Sequence, residues 1–525
     1  MPNGHKKGGC AEDTGRLDAV DMRKVILLAM SMLLTTCLQA KVYYVSSTGN
    51  DGYGGTRIDS AFQTIPKAVS VMIAGDTTYV RGGVYFLNTT VSISKKGTAT
   101  GWYYLLAYPG ERPIFDFSSM AVSSSNRGFN FSGNYWVVQG FDIKGAGDNG
   151  MNLSGSNNVI ERCNFYENAD TGLQLSNGAS NNEIINCDSY YNVDPSQGNA
   201  DGFAPKLDVG TGNYFYGCRA WQNSDDGWDG YMRGSDDVTT ILENCWVFAS
   251  GYLKSGDASS GNGNGFKMGG GDSSNVSNWK HNMILKNCVA FDNRAKGFDQ
   301  NNNAGSMILY NCTSYRNGTN YSVTRPLASG KVLDVKNCVA LGTYGSLGAF
   351  AVQEKNSWQN PFVVTNDDFV SIDTAGVRGP RKPDGSLPDA RFMHLAEGSD
   401  LVDGGVDVGL PYKGIAPDLG AFESDYPVGI AEVESPISEY RLEQNFPNPF
   451  NPLTRIRFMA GTRGQTSLHV FNALGQDIQT LFNEEVEAHR IYEITFDASR
   501  LPAGVYFYRL TSGDFADFRR MLLIK

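Results

Sequence analysis

From residue 159 to residue 343 the chain repeats one hydrophobic–polar pattern seven times. Each unit has a short apolar run, a cysteine, a second short apolar run and, five positions after the cysteine, a small polar residue. The units read VIERCNFYEN, EIINCDSYYN, YFYGCRAWQN, ILENCWVFAS, MILKNCVAFDN, MILYNCTSYRN and VLDVKNCVALGT, carrying Cys163, Cys187, Cys218, Cys245, Cys288, Cys312 and Cys338. Short apolar runs broken by Asn, Gly and Ser predict strands and turns, and long helical periodicity is missing. Successive cysteines lie 24, 31, 27, 43, 24 and 26 residues apart. A unit of about two dozen residues cannot bury its own apolar face. Stacked coils of a parallel β-helix, sharing one core, solve that problem. A leucine-rich repeat would need leucines at fixed offsets, and a propeller would need four strands in a longer unit.

Stacked coils place like residues on like. The cysteines are expected to form one interior column of free thiols, because they show no close CxxC pairing. The residues five positions on, Asn168, Asn192, Asn223, Ser250, Asn293, Asn317 and Thr343, are expected to form a ladder at a bend. A third column pairs glycine with an apolar residue: Gly150-Met151, Gly172-Leu173, Gly202-Phe203, Gly227-Trp228, Gly265-Phe266 and Gly297-Phe298. The apolar member should point inward, which fixes the alignment of every coil.

That alignment makes the acidic residues readable. Asp201 and Asp226 each precede the glycine of their coil, on successive coils. Adjacent strands lie about 4.8 Å apart, so these two should be neighbours, with Asp225 and Asp229 beside them. Four carboxylates so close repel unless a cation joins them, and an all-oxygen donor set suits Ca²⁺. The plainer reading is a turn rich in Asp. Lys267 shares the column of Asp229, in the order Asn152, Gln174, Ala204, Asp229, Lys267, Asp299. It is either a salt-bridge partner or a general base. The spacing of 43 marks an insertion at 246–263, placed to wall a substrate groove.

The segment NADGFAPKLDVGTGNYFYGCRAWQNSDDGWDGY, with GNGNGFKMGG after it, resembles the family 9 polysaccharide lyases, pectate lyases on a right-handed parallel β-helix. The likeness extends from the opening YYVSSTGNDGYGGT to the closing APDLGAFE, roughly residues 41–423. The resemblance implies a catalytic Ca²⁺ on Asp201, Asp225, Asp226 and Asp229, and Lys267 as Brønsted base. It implies β-elimination of polygalacturonate, with proton removal next to the carboxylate and departure of the glycosidic oxygen. Lys206 and Arg233 are candidates for substrate contact without an assigned role. A hydrolase would need two separated carboxyl groups instead. The same apparatus on rhamnogalacturonan or alginate, or a non-catalytic surface adhesin, are the competing readings.

The tail is a separate unit. TRIRFMA, SLHVFNA, YEITFDA and GVYFYRLTS alternate, as in a small β-sandwich over 441–525, after a linker at 425–440. YRLEQNFPNPFNPLTRIRF and LPAGVYFYRLTSGDFADFRRMLLIK resemble the C-terminal sorting domain of the type IX secretion system, which implies that machinery as a partner. At the other end, MRKVILLAMSMLLTTCLQA has the basic start, short apolar run and small-residue end of a signal peptide at 22–40. Residues 1–21 are then an upstream extension, and the lyase domain spans 41–424. A secreted or surface-attached monomer is expected.

Composition changes this picture little. The 525 residues carry 44 Lys and Arg against 55 Asp and Glu, a formal net charge of -11. That balance argues against nucleic acid, because phosphate binding needs a basic surface. It leaves an acidic polymer open, since a bound divalent cation reverses the local sign.

Overall fold

The computed structural model describes residues 40–271, 279–426 and 440–524, except 446, 473, 474, 489 and 514. The signal-peptide segment, the upstream extension and most of the linker lie outside the described residues.

Three parallel sheets wind around one core as a β-helix, a first of twelve strands and two of ten. One coil shows the plan. Met151–Leu153 belongs to the third sheet, Val159–Glu161 to the first, and Asn164–Tyr166 to the second. The chain then bends at Asn168 and re-enters the third sheet at Leu173–Leu175. Strands are this short because each carries only one or two inward residues before a bend. The bends are held by residues in left-handed backbone, among them Arg162, Asn186, Asn244, Asn287 and Asn311.

The predicted columns are present. All seven repeat cysteines are buried free thiols. Asn168 Nδ2 donates to Asn192 Oδ1 at 2.9 Å, and Asn192 Nδ2 to Asn223 Oδ1 at 2.8 Å. Asn293 continues the ladder to Asn317. A second ladder, not anticipated, runs at the next bend through Asn158, Asn182 and Asn213, each bond 3.0 Å. The inward column Met151, Leu173, Phe203, Trp228, Phe266, Phe298 is in register strand by strand. Its rings pack at 4.8, 5.1 and 5.2 Å between centroids from Phe203 to Phe298, the first two pairs tilted and the last stacked.

At the N-terminal end the helix Ile65–Val71, capped by the Thr64 hydroxyl, turns Ile65, Ala68 and Val69 onto the core. The segment 392–423 does more than close the far end. It runs back over the outer face of the second sheet, where Phe392, Met393, Leu395, Leu401 and Leu419 cover Trp246, Phe248, Phe291 and Val339. Asp188 pins the stretch just ahead of that segment, accepting a bond of 2.6 Å from Arg381 beside a fork from Arg219 at 2.9 and 2.7 Å.

Residues 441–523 form antiparallel sheets of three and four strands. Their own core holds Phe450, Ile456, Phe458, Leu468, Tyr508 and Leu510, as the alternating sequence predicts for a small sandwich.

Candidate active site

The candidate residues sit on the third sheet, where it meets the bend from the second. Phe203 pairs with Trp228, and Asp229 pairs with Lys267, so three successive coils contribute. Close approach explains the Asp-Gly pairs. A β-carbon on Gly202 would lie 2.6 Å from the Gly227 carbonyl oxygen, and one on Gly227 would lie 2.0 Å from Val247 Cγ2. Only glycine lets the coils stack tightly enough to bring Asp201 and Asp226 together.

Asp201, Asp225 and Asp226 each place an oxygen within 4.8 Å of the others. Asp229 does not belong to that triple. Its Oδ1 lies 3.1 Å from Lys267 Nζ and its Oδ2 3.4 Å from Lys206 Nζ. Lys267 Nζ also lies 3.0 Å from Asp226 Oδ2, and Lys206 Nζ 2.7 Å from Asp201 Oδ2. Both lysines are thus buried and shared between two carboxylates. Asp226 Oδ2 is buried and accepts no well-directed hydrogen bond, in spite of the nearby ammonium.

The insertion lies against the cluster, but it begins later than expected. Trp246–Phe248 is a strand of the second sheet, and the loop follows it. Its amides are aimed at the cluster. Asn264 donates its backbone N–H to Asp226 Oδ1 at 2.8 Å and its side-chain amide at 2.9 Å. The Asn262 N–H donates to Asp225 Oδ1. On the other side Thr171 Oγ1 donates to Asp201 Oδ2 at 3.3 Å. Behind Asp229, the buried His281 ring joins the Gly230 carbonyl at 2.9 Å to the Thr240 hydroxyl at 2.8 Å. None of these four partners was singled out from the sequence. The GNGNG glycines and asparagines before Lys267 were the signal for the loop; nothing marked His281.

The electrostatics follow from burial and crowding. Burial pushes Asp225 up to about 9, with Asp226 and Asp201 adding to it. Burial pushes Asp201 up to about 7, with Lys206 opposing and Asp229 and Asp226 adding. Asp226 is also raised by burial, against the pull of Lys267. Burial acts the same way on Asp229, but Lys267 and Lys206 together outweigh it, and its carboxyl is held below the usual range. Burial pulls Lys267 down, yet Asp226, Asp229, Asp201 and Asp225 outweigh it and leave the ammonium strongly favoured.

Four carboxylates face two ammonium groups. Fully ionised, the set has two negative charges in excess, the charge of one divalent cation. The donors are all hard oxygens, one of them lacking a directed donor. This set fits Ca²⁺ by chemistry and by charge.

Residues 43–337 match the family described as Pel9A-like, right handed beta helix region. The chain belongs to the Pel9A-like β-helix family. Relatives of this Pel9A-like chain include a protein named Pectate lyase L from Dickeya chrysanthemi, 37% identical over 418 residues, covering 77% of this chain and 96% of that one. A protein of the same name from Paenibacillus polymyxa is 37% identical over 405 residues, covering 72% and 87%. Among solved structures, the crystal structure of pectate lyase Pel9A superposes with a TM-score of 0.68 at 37% identity, covering 74% of this chain and 98% of that one. A structure titled rhamnogalacturonan lyase gives 0.61 at 28% identity, covering 69% and 98%. Residues 444–525 match the secretion system C-terminal sorting domain.

Proposed function

We propose that this protein is a pectate lyase that cleaves polygalacturonate by calcium-dependent β-elimination. The observation that carries the reading is a buried lysine, Lys267, reaching into an all-oxygen aspartate cluster on a Pel9A-like β-helix. Asp201, Asp225 and Asp226 would hold Ca²⁺, with Asp229 as the fourth donor. Calcium, when bound, supplies positive charge that offsets the aspartates and acidifies the proton on the carbon next to the uronate carboxylate.

Lys267 Nζ is the base. Its register beside Asp229 makes the two neighbours, and Asp226 and Asp229 hold the amine between them at 3.0 and 3.1 Å. To accept a proton the amine must be neutral, and the aspartates oppose that in the metal-free site. Offsetting their charge is therefore a condition for base catalysis as well as for binding. Lys267 takes the C5 proton, that C–H electron pair forms the C4–C5 double bond, and the C4–oxygen bond breaks toward the leaving sugar. Asn262 and Asn264 hold Asp225 and Asp226 in place, and Lys206 holds Asp201 and Asp229.

The C-terminal domain supports export by the type IX secretion system, with a signal peptide at 22–40 as the first step and a mature lyase starting near residue 41. Release into the medium or attachment at the surface would follow. Incubation with polygalacturonate, rhamnogalacturonan and alginate, followed by ultraviolet absorbance of the unsaturated product, tests the activity and the polymer together. Product from polygalacturonate is expected; product from one of the other polymers alone would reassign the substrate.

A further inference from the structure

We propose that Arg233 forms a carboxylate-binding subsite for the uronate next to the one that Lys267 deprotonates. This rests on the lyase reading and extends it to substrate recognition.

The segment that carries Arg233 is fixed on both sides. Met232 bridges to Leu207 on one coil and to Gly271 on the next, and the Arg233 N–H donates to the Leu207 carbonyl at 2.7 Å. Tyr231 is anchored through its own N–H, which donates to Asp229 Oδ1 at 3.0 Å. Two cations approach the Tyr231 ring. Lys267 Nζ is 5.8 Å from its centroid and Arg233 Cζ is 5.5 Å from it. The base and an exposed guanidinium therefore share one ring.

Among the described residues Arg233 forms no ion pair, although acids outnumber bases in the chain. The other cations around the site are engaged. Lys206 and Lys267 are shared among aspartates. Lys296 holds Asp299 at 2.8 Å, Arg127 stands 3.3 Å from Asp148, and Arg294 donates to the Gly261 carbonyl. The acids close to Arg233 in sequence are taken as well, Asp236 by Lys280 and Asp237 by Lys331, and Asp208 on the preceding coil accepts the Asn177 N–H at 2.6 Å. An exposed guanidinium held on an aromatic ring, with its donors uncommitted, is set up for a planar anion. The polymer that Lys267 would act on carries one carboxylate per sugar. A methyl ester on the sugar at this subsite removes that anion, so Arg233 selects for unesterified polymer.

The test compares Arg233→Ala, Arg233→Lys and Arg325→Ala by steady-state kinetics on polygalacturonate with calcium. Arg325 is also exposed and without an ion pair among the described residues, but it follows Thr319–Val323, three coils further on and roughly 15 Å away. Loss of one charged hydrogen-bonding contact predicts a KM raised roughly tenfold in Arg233→Ala, with kcat nearly kept. Arg233→Lys should recover part of the loss, and Arg325→Ala should match the wild type. An unchanged KM in Arg233→Ala overturns the subsite. So does an equal rise in Arg325→Ala, which would show general attraction of the polymer. If the wild type itself shows no turnover, the lyase reading fails instead. Calorimetric binding of polygalacturonate to wild type and Arg233→Ala then decides on Arg233 alone, and equal affinities overturn it.

Discussion

Replacing Asp226 by Asn removes one charge from the centre of the aspartate cluster with almost no change of shape. The amide oxygen can keep the two bonds from Asn264, at 2.8 and 2.9 Å. The new amide nitrogen takes the place of Oδ2, 3.0 Å from Lys267 Nζ, where it offers no negative charge. Lys267 keeps Asp229 at 3.1 Å as a partner. In the metal-free protein the change also relieves Asp225 and Asp201, whose carboxyls Asp226 helps to push up. Loss and relief oppose each other, so the metal-free fold should keep its Tm to within about 2–4 °C. The calcium-bound protein loses a charged ligand with nothing in return. A contact to a charged group contributes about 1.5–3 kcal/mol, so calcium affinity should fall roughly 10- to 100-fold. Calcium at a hundred times the wild-type Kd stabilises the wild type by about 2.7 kcal/mol; the variant would keep only about 0.4–1.4 kcal/mol. Calorimetric titration gives the affinity, and thermal melts with and without calcium give the stabilisation. Equal calcium affinity in wild type and Asp226→Asn, with the fold intact by circular dichroism, would refute the assignment of this site.

Lys267→Ala should abolish turnover while calcium and polygalacturonate still bind, and Lys267→Arg should not restore it, because a guanidinium stays charged; near-native kcat in either variant places the base elsewhere. Deleting residues 441–525 should leave turnover intact, since the β-helix and the tail have separate cores, and should block delivery outside the cell; loss of turnover with a normal fold would give the tail a role in substrate binding. His281 should make the protein acid-labile. Burial lowers its imidazole from the ordinary 6.5 to about 4, so the folded state holds it neutral while the unfolded chain takes up a proton. Its contribution is complete above pH 6.5 and is lost as pH falls toward 4, on the order of 3 kcal/mol in all. Chemical denaturation across that range should show a flatter profile in His281→Gln than in the wild type.

The architecture was legible because a β-helix repeats itself: Cys163 to Cys338, Asn168 to Asn317 and Gly150 to Gly297 each mark one phase of the coil, and the register matches all three columns. The same phase brought Asp201, Asp225 and Asp226 together on paper. Column position says which residues are neighbours, but it does not say where a long side chain turns. Lys206 reaches from two positions beyond its strand's outward residue back to Asp201 and Asp229, and Asp229 faces the lysines more than the other carboxylates. The path of the insertion loop escaped for another reason. Its path is set by contacts such as the Ser259 hydroxyl on the Ser224 carbonyl, which belong to no repeat. The covering of the second sheet by residues 392–423 was hidden likewise, although the outward Trp246, Phe248 and Phe291 were apolar residues in need of a cover.

The most direct measurement is the ultraviolet absorbance of the unsaturated product when the purified protein meets polygalacturonate, first with calcium and then with excess chelator. The account predicts steady growth of absorbance with calcium, its arrest on chelation and its return when calcium is restored. Growth that continues undiminished in chelator would contradict the role of the aspartate cluster, and no growth on polygalacturonate in either condition would contradict the proposed activity itself.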